Sequence, residues 1–224
     1  MGHRKPDMFQ KIHSEVLNRK SSYIEYLHDH LPLIYCNTGD ECPLPYAQVE
    51  EYLRTGTDWM FYLLNNPAEY RRCDLSRLDE TELTYLLMES PAFHCCIDWR
   101  NILPTEKRQI LLALHPQWAN TGEELKELSG PHWQKLLTVH PEYGFMAPWH
   151  KLSGDQWQKL LCERPDFARH CDFSKLSVEN WEDLLEYQIR FLPLCPVRIR
   201  EEFAVNAVER IFTLYPEVAA VWDG

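Results

Sequence analysis

Residues 133–152 read WQKLLTVHPEYGFMAPWHKL, and residues 157–176 read WQKLLCERPDFARHCDFSKL, the same pattern 24 residues later. A third copy, WEDLLEYQIRFLPLCPVRI, begins after another 24 residues, at Trp181. A period in the twenties is typical of a solenoid, in which one short repeat stacks on copies of itself because it cannot bury its apolar face alone. These three copies therefore predict a repeat fold.

The period continues on both sides of these copies. A proline recurs every 24 or 25 residues, at Pro67, Pro91, Pro116, Pro141 and Pro165. Eight residues before each proline stand Trp59, Leu83, Arg108, Trp133 and Trp157, of which only the arginine is not apolar. We predict three regions: an N-terminal helical cap and loop (1–52), tandem helical repeats (53–195) and a degenerate C-terminal capping repeat (196–224).

One repeat contains the start and stop signals of a short helix. Ser153 is a good N-cap residue, and Trp157, Leu160 and Leu161 follow on one helical face. Pro165 ends that helix, because the residue before a proline avoids helical geometry, and it can open a second, short helix. The sequence therefore predicts an all-α protein, an α-solenoid of about 24-residue helix–turn–short-helix repeats with an N-terminal capping helix.

The N-terminal segment has the pattern of a cap. Apolar residues of the segment 7–31 follow helical spacing with one miss, Lys20, and predict a single long helix. We call the position of the recurring tryptophan, eight residues before the proline, the tryptophan slot. We expect the N-terminal helix to cover Phe61, Tyr85 and Ile110, which lie two positions after this slot. The alternative is that these residues are exposed and bind a partner.

Composition limits the function classes. The chain has 34 acidic and 23 basic residues, a net charge of −11 that is spread along its length. An acidic surface repels phosphate backbones, so nucleic acid is not an expected partner. We find no apolar stretch of membrane-spanning length and no signal-peptide pattern near the start, and we expect no membrane association and a cytoplasmic location.

The cysteines follow the repeat. We call the position of the recurring proline the proline slot; Ile189 stands there in one copy. Four cysteines lie five or six residues after this slot: Cys73, Cys96, Cys171 and Cys195. Ala147 stands at the same place in another copy, which predicts an interior packing position. Cys95 is out of register, and the chain has no CxxC pair. The predicted repeat core includes Trp59, Trp133, Trp157, Trp181, Pro67, Pro91, Pro141, Pro165, Cys73 and Cys171.

Candidate chemistry is sparse. His28, His30, Cys36 and Cys42 offer nitrogen and sulfur ligands outside the repeats, but their spacing matches no standard zinc pattern, so they are weak metal candidates and no cofactor is predicted. The chain has no GxSxG, HExxH or phosphate-binding glycine loop, and no catalytic residue is predicted. The alternative hypothesis is an enzyme or metal-dependent protein with a site near residues 28–42. His94, His150 and His170 are expected at or near turns, and His115 and His140 at exposed helix ends.

The repeat pattern W-x-x-L-L-x-x-x-P-x-F-x-x-x-C resembles tandem repeats of uncharacterised bacterial proteins. The resemblance covers roughly residues 53–195 and is strongest over residues 128–195. It implies a repeat fold and a bacterial source, and it carries over no functional residue.

The leading functional hypothesis is a non-catalytic protein–protein interaction module, which would act as a scaffold, an adaptor or an inhibitor-type binder. Arrays of this kind contact a protein or peptide through side chains repeated along one face. The net charge of −11 suits a basic partner. The candidate partner-binding row, to which the histidines near the turns are added, is Gln134, Lys135, Gln158, Lys159, Glu182 and Asp183.

Overall fold

The computed structural model describes residues 8–26 and 46–222. Every regular element in these two ranges is helical, and neither range contains a strand. The predicted all-α class is therefore confirmed, and within each part of the chain successive short helices pack on one another as in a solenoid. The chain divides into two compact halves, Met1–Leu111 and Leu112–Gly224.

Ten-residue helices recur with the predicted period in the described residues. After α1 (Met8–Leu17), they are α2 (Gly56–Asn65), α3 (Glu80–Glu89), α4 (Thr105–Leu114), α5 (Gly130–Val139), α6 (Gly154–Glu163), α7 (Val178–Tyr187) and α8 (Val205–Leu214). Helix α4 crosses the boundary between the two halves.

Each long helix of a repeat ends in the same way. One residue leaves helical geometry, as Arg164 does at φ −131° and ψ 71°, and a 3-10 helix then starts at the proline slot. Gln188 adopts nearly the same angles before Ile189, so the turn does not require the proline. The 3-10 helices are Pro67–Arg72, Pro91–Cys95, Pro116–Trp118, Pro141–Met146, Pro165–His170, Ile189–Leu194 and Pro216–Ala220.

The helix starts carry the caps that the sequence indicates. The Ser153 side chain accepts a hydrogen bond from the backbone N–H of Gln156, and the Gln156 side chain accepts one from the backbone N–H of Ser153. This capping box satisfies two N–H groups that a helix start leaves without partners. The same arrangement occurs at Thr55, Asp79 and Ser177.

The core of the C-terminal half consists of equivalent side chains. Trp133, Trp157 and Trp181 are 0%, 0% and 1% exposed, and the leucine pairs that follow them are fully buried. Helices α5, α6, α7 and α8 pack in that order, each against the next. Because one helix cannot cover its own apolar face, each repeat depends on its neighbours for burial.

The N-terminal segment differs from the predicted single helix. Helix α1 ends at Leu17, and the chain becomes helical again over residues 22–26. The break has a local cause, because the Ser21 hydroxyl accepts a hydrogen bond from the backbone N–H of Ile24 and starts a new helix. Helix α1 packs on α3, where the rings of His13 and Tyr85 lie 5.6 Å apart.

The spacing between successive long helices correlates with the first residue of the long helix. Where that residue is Gly56, Gly130 or Gly154, the next long helix starts 24 residues later. After Glu80, Thr105 and Val178 the interval is longer. The short repeats close with a 3-10 turn (Leu75–Arg77, Trp149–Lys151 and Phe173–Lys175), and the longer ones with an α-helical turn (Trp99–Ile102, Gly122–Lys126 and Val197–Arg200).

Close backbone contact explains the glycines of the short repeats. A Cβ atom on Gly154 would overlap the Lys175 carbonyl oxygen in the closing turn of its own repeat and lie 2.7 Å from Oδ1 of Asn180 at the start of the next. A Cβ atom on Gly130 would lie 2.5 Å from the Lys151 carbonyl oxygen. Hydrogen bonds hold the same seam together, because Nζ of Lys175 donates to the carbonyls of His150 and Leu152 at 3.0 and 2.9 Å.

Replacing Gly154 with alanine is expected to lower the free energy of unfolding by about 1–3 kcal/mol, because the new methyl group forces the next repeat away. Gly122→Ala is the matched control, since its Cβ would meet Met146 Cε at an ordinary 3.6 Å. Urea unfolding followed by circular dichroism measures both. Equal stability of the two variants would contradict the close-approach explanation.

Side chains before the proline slot bind the preceding repeat. Nε of Arg164 donates to the Thr138 carbonyl at 2.9 Å, and Nε2 of Gln188 donates to the Cys162 carbonyl at 2.8 Å. These bonds satisfy carbonyls that a helix end leaves without partners. Nε2 of His140 lies 2.8 Å from the Leu114 carbonyl oxygen in the same way.

The expected exposure of His115 and His140 is therefore corrected. Both residues are half-buried, His140 by its bond to the preceding helix end and His115 by its ring contact with Trp118, at 4.3 Å between centroids. They belong to the packing between and within repeats.

The cysteine slot is occupied as expected except in one repeat. Burial raises the pKa of Cys73 and Cys195 to about 11 and that of Cys171 to about 12. Cys96, however, is exposed, which corrects the prediction of a packing role. Its distance from the proline is one residue shorter than in the other copies, so Ile97, 6% exposed, fills the interior slot.

Candidate interaction surface

The predicted partner-binding row is not a free surface. Gln158 is only 3% exposed, and its Nε2 donates to Sγ of Cys162 at 3.3 Å, so it is corrected from a binding residue to a packing residue. The other five members are half-buried: Gln134, Lys135, Lys159, Glu182 and Asp183. The reason is that this side of each helix lies along its neighbour, as shown by Oε1 of Glu182, which accepts from the backbone N–H of Ala204 at 2.6 Å.

The weak metal candidates His28, His30, Cys36 and Cys42 lie outside the described residues. Within residues 8–26 and 46–222, no group of three or more metal-ligating side chains is arranged to hold an ion.

The 3-10 helices of the C-terminal half carry a more accessible surface, which we call the turn face and define as Phe145, Trp149, Arg169, His170 and Leu194. Phe145 is 87% exposed, the most exposed of the large apolar side chains in the described residues. Arg169, His170 and Leu194 are exposed, and Trp149 is half-buried. An exposed phenylalanine of this kind contributes nothing to the core and is therefore the candidate contact residue of this surface.

Stacked rings make the turn face rigid. Trp149 stacks on the buried Trp157 at 5.5 Å between centroids and on the exposed His170 at 4.5 Å, with only 6° between the last two ring planes. Phe167 contacts the edge of the same stack at 5.3 Å. The surface ring of His170 is thus connected to the core through one continuous series of aromatic contacts.

A glycine places Phe145 in solvent. A Cβ atom on Gly144 would lie 2.8 Å from the Phe167 ring, so the 3-10 helix Pro141–Met146 packs its backbone directly against the next repeat. With Gly144 turned inward, the following residue, Phe145, is turned outward. Positions equivalent to Phe145 in the next two repeats hold Arg169 and Pro193.

The charges around the turn face are mixed. Glu142, Asp166 and Arg190 occupy equivalent exposed positions one residue after the proline slot. Nε of Arg169 donates to Nε2 of His170 at 3.0 Å. This surface therefore combines exposed apolar side chains with charges of both signs, both of which occur in protein interfaces.

The buried charges of the N-terminal half have structural roles. Burial alone would raise the pKa of Asp58, but hydrogen bonds from Thr55, Ser21 and Tyr23 lower it. Oδ1 of Asp58 accepts from the Ser21 hydroxyl at 2.8 Å, and Oδ2 accepts from the Thr55 hydroxyl at 2.8 Å. Because both carboxylate oxygens are satisfied by the fold, this group is a cap and not a candidate general base.

Phe145 was not among the residues that the repeat pattern singled out, whereas Trp149 stands at a recurring Phe/Trp position two residues after the cysteine slot. The available signal was a departure from the pattern: Phe145 is an aromatic residue at a position where the other copies need none. Trp149 does have an equivalent, since Phe173 stacks on Trp181 at 5.5 Å.

Comparison with known proteins supplies no relative. No family model, no curated protein and no solved structure matches the chain. In the ranges that the structure describes, no helix combines the length and apolar character needed to span a membrane.

Proposed function

We propose that this protein is a non-catalytic interaction module, a scaffold, adaptor or inhibitor-type binder, that recognises a protein or peptide through the turn face. The observation that carries the proposal is the 87% exposure of Phe145, on a 3-10 helix whose backbone at Gly144 packs against the buried ring of Phe167. Aromatic side chains on rigid supports are typical binding hot spots, because little conformational entropy is lost when they bind.

The chemistry of the surface suits a protein partner. Phe145 and Leu194 offer apolar area, while Arg169, His170 and Arg190 offer hydrogen-bond donors at the rim. The net charge of −11 would attract a partner of positive net charge over a long range, and the mixed rim would set its orientation.

A reducing, cytoplasmic location belongs to the same proposal. Six cysteines in the described residues are all free thiols, which supports a compartment where disulfides do not persist. The bacterial source suggested by the repeat pattern is likewise part of the proposal.

Photo-crosslinking tests the location of the binding surface. A photoreactive phenylalanine analogue at position 145 is expected to capture a discrete protein adduct from a lysate of the source organism. Position 205 is the matched control, because Val205 is also apolar and 76% exposed but lies on helix α8. Equal capture from both positions would contradict the assignment.

Competition with unlabelled protein then measures the contribution of Phe145. Wild-type protein is expected to compete for the captured partner, whereas Phe145→Ala should compete about 30-fold less well, since a hot-spot residue contributes about 2 kcal/mol or more. The substitution should leave stability almost unchanged, because it removes no buried contact. A variant that competes as well as wild type would refute Phe145 as the anchor.

A further inference from the structure

Two adjacent thiols are exposed in the N-terminal half. Cys95 ends the 3-10 helix Pro91–Cys95, and Cys96 follows it. Ile97 occupies the interior position of this repeat, which displaces both thiols to the surface. The equivalent thiols of other repeats, Cys73 and Cys195, are buried.

The surroundings of these two thiols favour reactivity. Sγ of Cys95 lies 3.2 Å from Nδ1 of His94, close enough for the imidazole to take the thiol proton. The guanidinium of Arg71, in the 3-10 helix of the preceding repeat, binds mainly the Tyr70 hydroxyl, 3.1 Å from its Nε, and contributes a weaker electrostatic interaction with Cys96. Reactive cysteines are found in such partly exposed sites beside basic groups, since the thiolate is the nucleophile.

We propose that Cys95 and Cys96 form an oxidation-sensitive dithiol that reacts with hydroperoxides. The Cys95 sulfur attacks the peroxide, so that an S–O bond forms, the O–O bond breaks, and the thiol proton leaves with the alcohol or water that is released. The Cys96 sulfur then attacks the Cys95 sulfenic acid, so that an S–S bond forms, the S–O bond breaks and water departs. In total the dithiol loses two protons and two electrons, and the peroxide is reduced to water and the released alcohol or water.

A disulfide between adjacent residues is readily reversed. Neighbouring Cα atoms are about 3.8 Å apart, less than the spacing of about 4.4–6.8 Å usual in disulfides. Strained and exposed disulfides are easily reduced, which is the property of a reversible switch and not of a structural crosslink. The buried thiols provide internal controls, because burial raises the pKa of Cys73 and of Cys195 to about 11.

Mass spectrometry of the full-length protein tests the proposal. The reduced protein is exposed to one equivalent of hydrogen peroxide, alkylated, and mapped by peptide. We expect the loss of two hydrogens in the peptide that contains Cys95 and Cys96, reversal by dithiothreitol, and no change at Cys73 or Cys195.

Surface variants separate the two steps. Cys96→Ser should stop at a sulfenic acid on Cys95 that dimedone traps, and Cys95→Ser should abolish the fast reaction. His94→Gln, which tests the positioning of the proton acceptor, should slow the first step several-fold without changing the product. Three results would overturn the proposal: oxidation of Cys95 no faster than that of the buried thiols, a stable sulfenic acid in the wild-type protein, or a disulfide that joins either residue to another cysteine.

Discussion

Replacing Trp157 with alanine is expected to lower the free energy of unfolding by about 3–5 kcal/mol, the range for deleting a large buried ring. Its indole is 0% exposed, stacks on Trp149 and shares a helical face with Leu160 and Leu161. The loss should also weaken α5 and α7, because both pack on α6. Urea unfolding monitored by far-ultraviolet circular dichroism measures the change.

Phe145→Ala is the control for this prediction, since it also removes an aromatic ring but from a side chain that is 87% exposed. Its effect on stability should stay within about 0.5 kcal/mol. Similar losses in the two variants would mean that the repeated indoles are not the core, and the assignment of tryptophans to packing would fail.

Acid is expected to destabilise the wild-type protein more than it destabilises the His132→Gln variant. His132 is buried in the first turn of α5, with Nδ1 2.7 Å from the Ser129 hydroxyl oxygen, and burial lowers its pKa to about 4. The unfolded chain has a histidine pKa of about 6.5, so between about pH 6.5 and 4 it binds a proton that the folded protein does not. Stability contributed by the neutral form is therefore lost progressively as the pH falls through this window.

The expected size of this effect is up to about 3 kcal/mol, at about 1.4 kcal/mol for each unit of pKa difference. Glutamine is the natural replacement, because Gln156 occupies the same position in the next helix and completes its capping box without titrating. The carboxylates of both proteins respond equally to acid, so the difference between their unfolding free energies isolates His132. Parallel stability curves from pH 7 to pH 4 would contradict the prediction.

The repeat was predictable because burial imposes a residue type at a fixed position. Three positions recur for this reason: Trp157 is buried, Leu160 is buried on the same helical face, and Pro165 follows the end of the helix. Ser153 could be identified as an N-cap for the same reason, because few side chains can bond to a helix start.

Contacts between repeats were not predictable from the pattern of one repeat. Lys175 and Arg164 would be expected to be solvated, but both donate to backbone carbonyls of the preceding repeat. Gln158 was expected on the surface because it is polar, and it is buried because a neighbouring helix covers that side. Such contacts depend on the lateral spacing of helices, which a one-dimensional pattern does not contain.

The exposed residues Phe145 and Cys96 were not predictable, because both are departures from the repeat pattern. Phe145 lies outside the core because Gly144 takes the inward position, and Cys96 lies outside because it comes one residue before the inward position, which Ile97 fills. Each of these departures involves a single residue in a turn, where the hydrophobic pattern is weakest. The residue that faces inward in a turn therefore could not be identified from the sequence.

Duplication of one repeat tests the central claim, that equivalent residues make equivalent contacts between neighbours. A second copy of residues 154–177 is inserted after Ser177, which places each new glycine against a new lysine carbonyl as in the existing short repeats. Hydrogen exchange is then measured for the amides of the inserted helix. We predict protection equal to that of α6, because the added repeat should stack and bury its tryptophan. Rapid exchange throughout the insert, as in an unstructured loop, would contradict the account.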